Sequence, residues 1–203
     1  MRRKTLWLGL ILLLTGCVET EARLVWAQDG SMNLFLNLVG EGVSSQGRVI
    51  VSQLEGGSFR EIRLEGNRIQ AVMPIKPPGW DRITGFIPGR FEQQDSTTGL
   101  TFYRTSYVFY EDYGLEGDLN PAQIAGLPEI VGFLNLPIRL VVETPWRPRA
   151  ASGQVQADGE VVWQGQVTDS FPISVSYRIF FYERMVGALV VIGLLVYLLR
   201  RKR

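Results

Sequence analysis

The chain of 203 residues is 46% hydrophobic and 20% charged, a balance that excludes a disordered or collagen-like polymer and suits one folded domain with appendages. It holds no histidine and a single cysteine, which removes imidazole catalysis, an intrachain disulfide and a Cys/His zinc cluster. The net charge of +1 hides a segregation: thirteen bases and nineteen acids between Val18 and Tyr182 leave that segment at −6, and the remaining bases sit at the two ends. Nucleic-acid binding needs a concentrated positive face on the folded part, so no nucleic-acid partner is expected.

At the N-terminus, Arg2-Arg3-Lys4 precedes the apolar run Leu6 to Leu14, the length of a signal-peptide core and far below the roughly 20 residues of a bilayer span. The run closes in Leu14-Thr15-Gly16-Cys17, which resembles a bacterial lipobox. On that resemblance residues 1–16 form a lipoprotein signal peptide cut before Cys17, and the Cys17 thiol carries diacylglycerol. An uncleaved anchor with a coincidental cysteine is the other reading.

Residues 17–178 are expected to form an exported domain of α+β class, mainly antiparallel sheet with one or two short helices. Ala22 to Gln28 and Ser31 to Leu38 flank Asp29-Gly30, a hairpin signature. Met32, Leu34, Leu36 and Leu38 share one face, and Asn33, Phe35 and Asn37 the other, so one face is buried and one partly solvated. Gly47 to Leu54 and Phe59 to Met73 read as further strands, with turns at Gly56-Gly57 and Gly66-Asn67. Pro74 to Pro88 is rich in loop residues. Leu100 to Tyr113 alternates again, with Tyr103, Tyr107 and Phe109 on one face and Phe102, Val108 and Tyr110 on the other. Asn120-Pro121 looks like a helix start, and short helical pieces could follow through Phe133. Pro137 to Thr144 predicts a strand, Gly153 to Val167 a hairpin about Asp158-Gly159, and Ser174 to Phe180 a last strand.

Met185 to Leu199 is uninterrupted and apolar, but fifteen residues reach only about 22 Å against a hydrocarbon core of about 30 Å. Adding Ile179 to Tyr182 gives a transmembrane helix over 179–199, and Arg200-Arg201-Lys202-Arg203 becomes a cytoplasmic tail by the positive-inside rule. A buried core helix is the alternative. Together the ends predict a domain on the exported face of the cell membrane, tethered to one membrane at both termini.

The order of these pieces resembles the LppM-type lipoproteins of actinobacteria and cyanobacteria. The resemblance rests on the lipobox cysteine followed at once by a strand, the Asp29-Gly30 turn and an apolar strand. It continues through the aromatic strands, the insertion near Asp118-Leu119-Asn120-Pro121, the Gly159-Glu160-Val161-Val162-Trp163 hairpin and the basic-ended membrane helix. Trp163 is followed here by Gln164-Gly165-Gln166, where the family carries an apolar-Pro-Gly continuation. What the resemblance implies is an exported α+β domain that binds lipid or glycolipid and is not an established enzyme.

Catalytic constellations are sparse. Lys76 is the sole lysine of the exported segment, a poor base for a serine nucleophile in a proline-rich stretch. Glu111, Asp112, Glu116 and Asp118 lie within eight positions, yet their spacing does not match a calcium loop, and solvated acids are commonplace. No catalytic residue, metal site or cofactor is therefore expected. The aromatic set Trp26, Phe35, Phe102, Tyr103, Tyr107, Phe109, Tyr110 and Trp163 suits core packing in a small domain without disulfides. Its functional reading is an apolar ligand pocket lined by Trp26, Tyr103, Tyr107 and Phe109, with Arg104 facing a head group. Arg147 and Arg149 make the close basic pair of the folded part, a solvated loop or a phosphate site. Two functions lead, a module binding a membrane lipid or a non-catalytic interaction and assembly factor for other membrane proteins, and an enzyme of the envelope is the least supported.

Overall fold

The computed structural model describes residues 18–27, 31–56, 58–76, 89–121 and 136–201. The helical pieces expected after Pro121, the Asp29-Gly30 turn, Cys17 and most of the proline-rich stretch lie outside the described residues. The chain runs β1 (Val18–Trp26), β2 (Met32–Gly40), α1 (Glu41–Glu55), β3 (Arg60–Glu65), β4 (Arg68–Ile75), β5 (Gly89–Gln94), β6 (Thr101–Ser106) and β7 (Tyr110–Leu119). It continues through β8 (Pro137–Glu143), β9 (Ala150–Ala151), β10 (Gln154–Val155), β11 (Val161–Gln166) and β12 (Phe171–Phe180) to α2 (Tyr182–Arg201).

Two sheets form: one of seven strands in the order β10-β11-β8-β1-β2-β4-β3, and one of five in the order β5-β6-β7-β12-β9. All pairings are antiparallel except β1 with β8, which run parallel at the centre of the larger sheet. Period-two alternation decides what each sheet buries. Ala22, Leu24 and Trp26 of β1, Met32, Leu34 and Leu36 of β2, and Ile69, Ala71, Met73 and Ile75 of β4 all face one way and are buried. Facing them from the smaller sheet are Phe102, Leu115, Ile173, Val175 and Tyr177, and both sets belong to one core. Trp26 closes the contact, its ring 5.1 Å from Tyr177 and 6.0 Å from Phe102, edge-on to both. The architecture is thus the α+β, mainly antiparallel one expected.

Three local expectations are corrected. Gly47 to Leu54 is not a strand but part of α1. Val43, Gly47, Val51 and Leu54 recur at helical spacing, and that period overrides the strand preference of Val49-Ile50-Val51. Gly47 lets the helix approach β3, since a Cβ there would meet Leu64 Cδ1 at 2.6 Å. Leu100 to Tyr113 is not one strand but the hairpin β6–β7, turning at Tyr107 to Phe109 with Tyr107 N donating to Tyr110 O at 2.9 Å. The turn puts Tyr110 on the same outer face as Tyr103, because Tyr103 pairs with Gly114. Finally, Ile179 and Phe180 belong to β12, paired with Glu111 and Tyr110, so the apolar helix begins at Tyr182.

That helix has 20 residues, a mean hydropathy of 1.8 and no buried side chain, and among the described residues it is the one element long and apolar enough to cross a membrane. Twenty residues at 1.5 Å extend about 30 Å, the thickness of a hydrocarbon core, with Glu183 and Arg184 in the first turn and Arg200 and Arg201 in the last.

The sandwich has two unlike poles. Trp26, ending β1, meets Tyr177 near the end of β12, so both finish at the pole where α2 leaves. At the other pole Gly165 pairs with Ile138, whose neighbour on β1 is Thr20, and a Cβ on Gly165 would lie 3.0 Å from the ring of Phe171, the first residue of β12. Val18 therefore starts β1 at the far pole, about 26 Å from Trp26 at 3.3 Å per residue.

Candidate functional site

Strand alternation dictates where the sequence-derived pocket residues go. Tyr103 and Arg104 are consecutive in β6 and so take opposite faces. Arg104 points into the sandwich and is 7% exposed. Its Nη2 donates to Glu111 Oε1 at 2.6 Å, Ser106 Oγ donates to the same oxygen at 3.2 Å, and Tyr113 OH donates to Oε2 at 2.6 Å. Burial pushes the Glu111 carboxyl up, but the hydrogen bonds of Arg104 and Tyr113 and the Arg104 charge outweigh it and hold the group below its usual range. Burial likewise raises the Tyr113 phenol, helped by its bond to Glu111, and raises Tyr177. Tyr113 and Tyr177 stack at 5.5 Å, and Trp26 and Trp146 pack against Tyr177. This is a neutralised charge pair inside an aromatic core at the helix pole.

Tyr103 lies on the outer face of the smaller sheet, over Gly114 and under the Arg90 guanidinium at 4.3 Å. Tyr107 and Phe109 stand at the hairpin turn, 42% and 38% exposed. The five candidates Trp26, Tyr103, Arg104, Tyr107 and Phe109 therefore divide between the core, an outer face and a turn, and they do not face one common pocket. The expectation treated β6 and β7 as one strand, and the turn at Tyr107 removes that shared face.

The clustered acids disperse as well. Glu111 is buried. Asp112 faces outward, accepting from Arg178 Nε at 2.6 Å and Nη2 at 2.8 Å, with Arg149 Nη1 at 3.5 Å. Glu116 pairs with Arg90 at 2.7 Å. Among the described residues no three acids or cysteines gather as a metal site. Arg149 of the basic pair is accounted for by Asp112, and Arg147 is exposed.

Two concavities lie elsewhere, on the outer face of the seven-stranded sheet. Two clefts of about 460 Å³ each share Asn37. One is lined by Glu19, Glu21, Arg68, Arg139 and Gln164, with Arg139 Nη1 2.8 Å from Glu21 Oε2. The other has Phe35, Asn37, Gln70 and Val72 on its floor and Arg23 and Arg63 at its sides. Register brings these together: Phe35 lies between Arg23 and Val72, and Asn37 beside Gln70, which faces Arg63. Arg23 is held by Glu160, with Glu143 at 3.5 Å. Glu61 also lines this cleft and has φ of 50°, the one positive value among described non-glycine residues. It falls in a bulge of β3, where Arg60 pairs with Val72 and Arg63 with Gln70, so three steps on one strand match two on the other. Backbone held in that region stores about 1 kcal/mol or more and concentrates where a ligand is met. The Asn33, Phe35, Asn37 alternation announced this solvated face. Gln70 and Arg63 were not legible because their placement depends on cross-strand register.

Against known proteins, no family model matches the chain and no curated protein matches it. Its fold is similar to the NMR structure of the Mycobacterium tuberculosis LppM folded domain, at 12% identity and a TM-score of 0.39, over 83% of this chain and 93% of that one. The likeness is a distant one.

Proposed function

We propose that the chain is an exported lipoprotein, held at the cell membrane by acylated Cys17 and by α2, whose sandwich is a non-catalytic module that binds the polar head group of a membrane lipid or glycolipid. The observation that carries this reading is the cleft of Phe35, Asn37, Gln70, Arg23 and Arg63. An aromatic floor with amides and guanidinium groups around it is the chemistry that recognises hydroxyl-rich or phosphorylated groups by stacking and charge-assisted hydrogen bonds. The module binds the head group and leaves the acyl chains in the bilayer, since the aromatic residues first assigned to an acyl pocket fill the core or face outward. Because Val18 starts β1 at the pole opposite α2, a lipid on the residue before it holds the domain on its side between two anchors.

Native mass spectrometry of the full chain released from detergent tests this. A lipid adduct retained by the native sequence and lost in the double variant Phe35→Ala, Asn37→Ala, at unchanged melting temperature, is the expected result. An adduct that survives the double variant, or no adduct on titration with envelope lipids, would contradict the reading. In the latter case the same outer face turns to the assembly-factor reading, tested by photocrosslinking from Gln70.

A further inference from the structure

Hairpin turns normally use Gly, Asn, Asp or Ser, because the backbone bends sharply and the side chains meet water. The β6–β7 turn is Tyr107-Val108-Phe109, with all three side chains exposed, at 42%, 54% and 38%. None belongs to the core, so folding alone does not explain three consecutive large apolar residues there.

The position of the turn does. Phe109 O accepts from Phe181 N at 2.9 Å, which fastens the turn to the residue immediately before α2. From it an aromatic ribbon runs to the helix: Tyr107 stacks on Tyr110 at 4.4 Å, Tyr110 lies 5.9 Å from Phe180, and Phe180 lies 6.3 Å from Tyr182. Phe180 and Tyr182 are themselves 47% and 70% exposed. The Arg178 guanidinium sits 3.7 Å over the Tyr110 ring and holds Asp112, so that carboxylate beside the ribbon is paired, while Glu183 follows Tyr182 in the first turn of α2. The length of α2 leaves no slack. The apolar run Met185 to Leu199 covers about 22 Å at 1.5 Å per residue, bounded by Glu183 and Arg184 on the near side and by Arg200 and Arg201 on the far side. Tyr182 must then lie at the near head-group boundary, and a turn bonded to Phe181 lies at the same level.

We infer that the β6–β7 turn is a second membrane foot, inserting Tyr107, Val108 and Phe109 into the head-group and acyl boundary of the bilayer that α2 crosses. Aromatic side chains prefer that boundary, where an apolar ring and a polar hydroxyl are both accommodated. The foot restrains rotation of the domain about α2 and fixes which faces of the sandwich look along the membrane. It rests on α2 being a membrane span and is independent of the head-group cleft.

The test uses the full chain carrying Cys17→Ser, in nanodiscs of phosphatidylcholine and phosphatidylglycerol. A nitroxide is placed in turn at Val108→Cys, at Tyr107→Cys, at Thr97→Cys in the exposed turn at the other end of β6, and at Ile192→Cys inside α2. Oxygen and nickel-chelate accessibilities read its depth. The inference expects the labels at 107 and 108 to lie about 5–10 Å below the phosphates, with several-fold higher oxygen-to-nickel ratios than at 97. Labels at 107 and 108 as water-accessible as that at 97, with 192 buried in lipid, would overturn the foot while leaving the span intact. Water access at 192 as well would overturn both. Circular dichroism matching the unlabelled chain verifies that each variant is folded.

Discussion

The two ends of β6 are turned by opposite chemistry. At the far pole, Asp95 Oδ2 accepts from Thr97 N at 3.2 Å, Thr98 N at 2.7 Å and Thr98 Oγ1 at 2.8 Å, while Gly99 takes φ of 74°. That turn satisfies its own polar groups and suits water. At the helix pole, Tyr107 to Phe109 closes through Tyr107 N to Tyr110 O, is tied to Phe181 through Phe109 O, and offers apolar surface. One hairpin end was shaped by folding in water and the other by what lies next to α2. The contrast teaches that polarity in this domain is organised along its long axis as well as from core to surface.

The variants that break this comparison rank by how deeply each group is buried. Glu111→Ala leaves the Arg104 charge inside the sandwich and is expected to cost about 3–5 kcal/mol, whereas Arg104→Leu with Glu111→Leu restores most of that stability. Thermal melts of the full chain in detergent, followed by near-ultraviolet circular dichroism of the Trp26 and Tyr177 cluster, read both. The same pair sets an acid limit. Because folding holds the Glu111 carboxyl below its usual 4.5, the folded state binds fewer protons. Its contribution is complete above about pH 4.5 and is lost as pH falls through the lower folded value. A melting temperature that stays flat through that acid range would remove Glu111 from the account.

Gly114→Ala comes next, since a Cβ there runs into the Tyr103 ring. Overpacking of this kind costs about 1–3 kcal/mol, and the melt should show Tyr103 displaced from Arg90 as a change in near-ultraviolet ellipticity. Asp95→Ala should cost about 1 kcal/mol by leaving the Thr97 and Thr98 amides without their acceptor. Val108→Ser at the other end should change the melting point in detergent by less than about 0.5 kcal/mol equivalent, which sharpens the contrast between a turn that serves folding and one that does not.

Much of the fold was legible because alternation is a local signal. Met32, Leu34 and Leu36 announced their buried face, Gly66-Asn67 its turn and Asp158-Gly159 its hairpin. The errors fell where two local signals competed. At Val49 to Val51 β-branched residues masked a helical period. At Tyr107 to Phe109 the aromatic alternation ran through a turn that lacks turn residues, and the pocket assigned to Tyr103, Tyr107 and Phe109 went with it. Reading that turn requires its contacts with Phe181 and the start of α2, which no residue of β6 announces. The outer cleft was half visible in Phe35 and Asn37. Its other half, Arg63 and Gln70, is a product of register.

The central claim is that α2 crosses the membrane with the sandwich on the exported side. Impermeant maleimide labelling of Thr97→Cys in intact cells, alongside an epitope placed after Arg203 and probed with protease, tests it most directly. The account predicts that the cysteine is labelled in intact cells and that the epitope is digested only after lysis. An epitope digested in intact cells, or a cysteine labelled only after lysis, would contradict it.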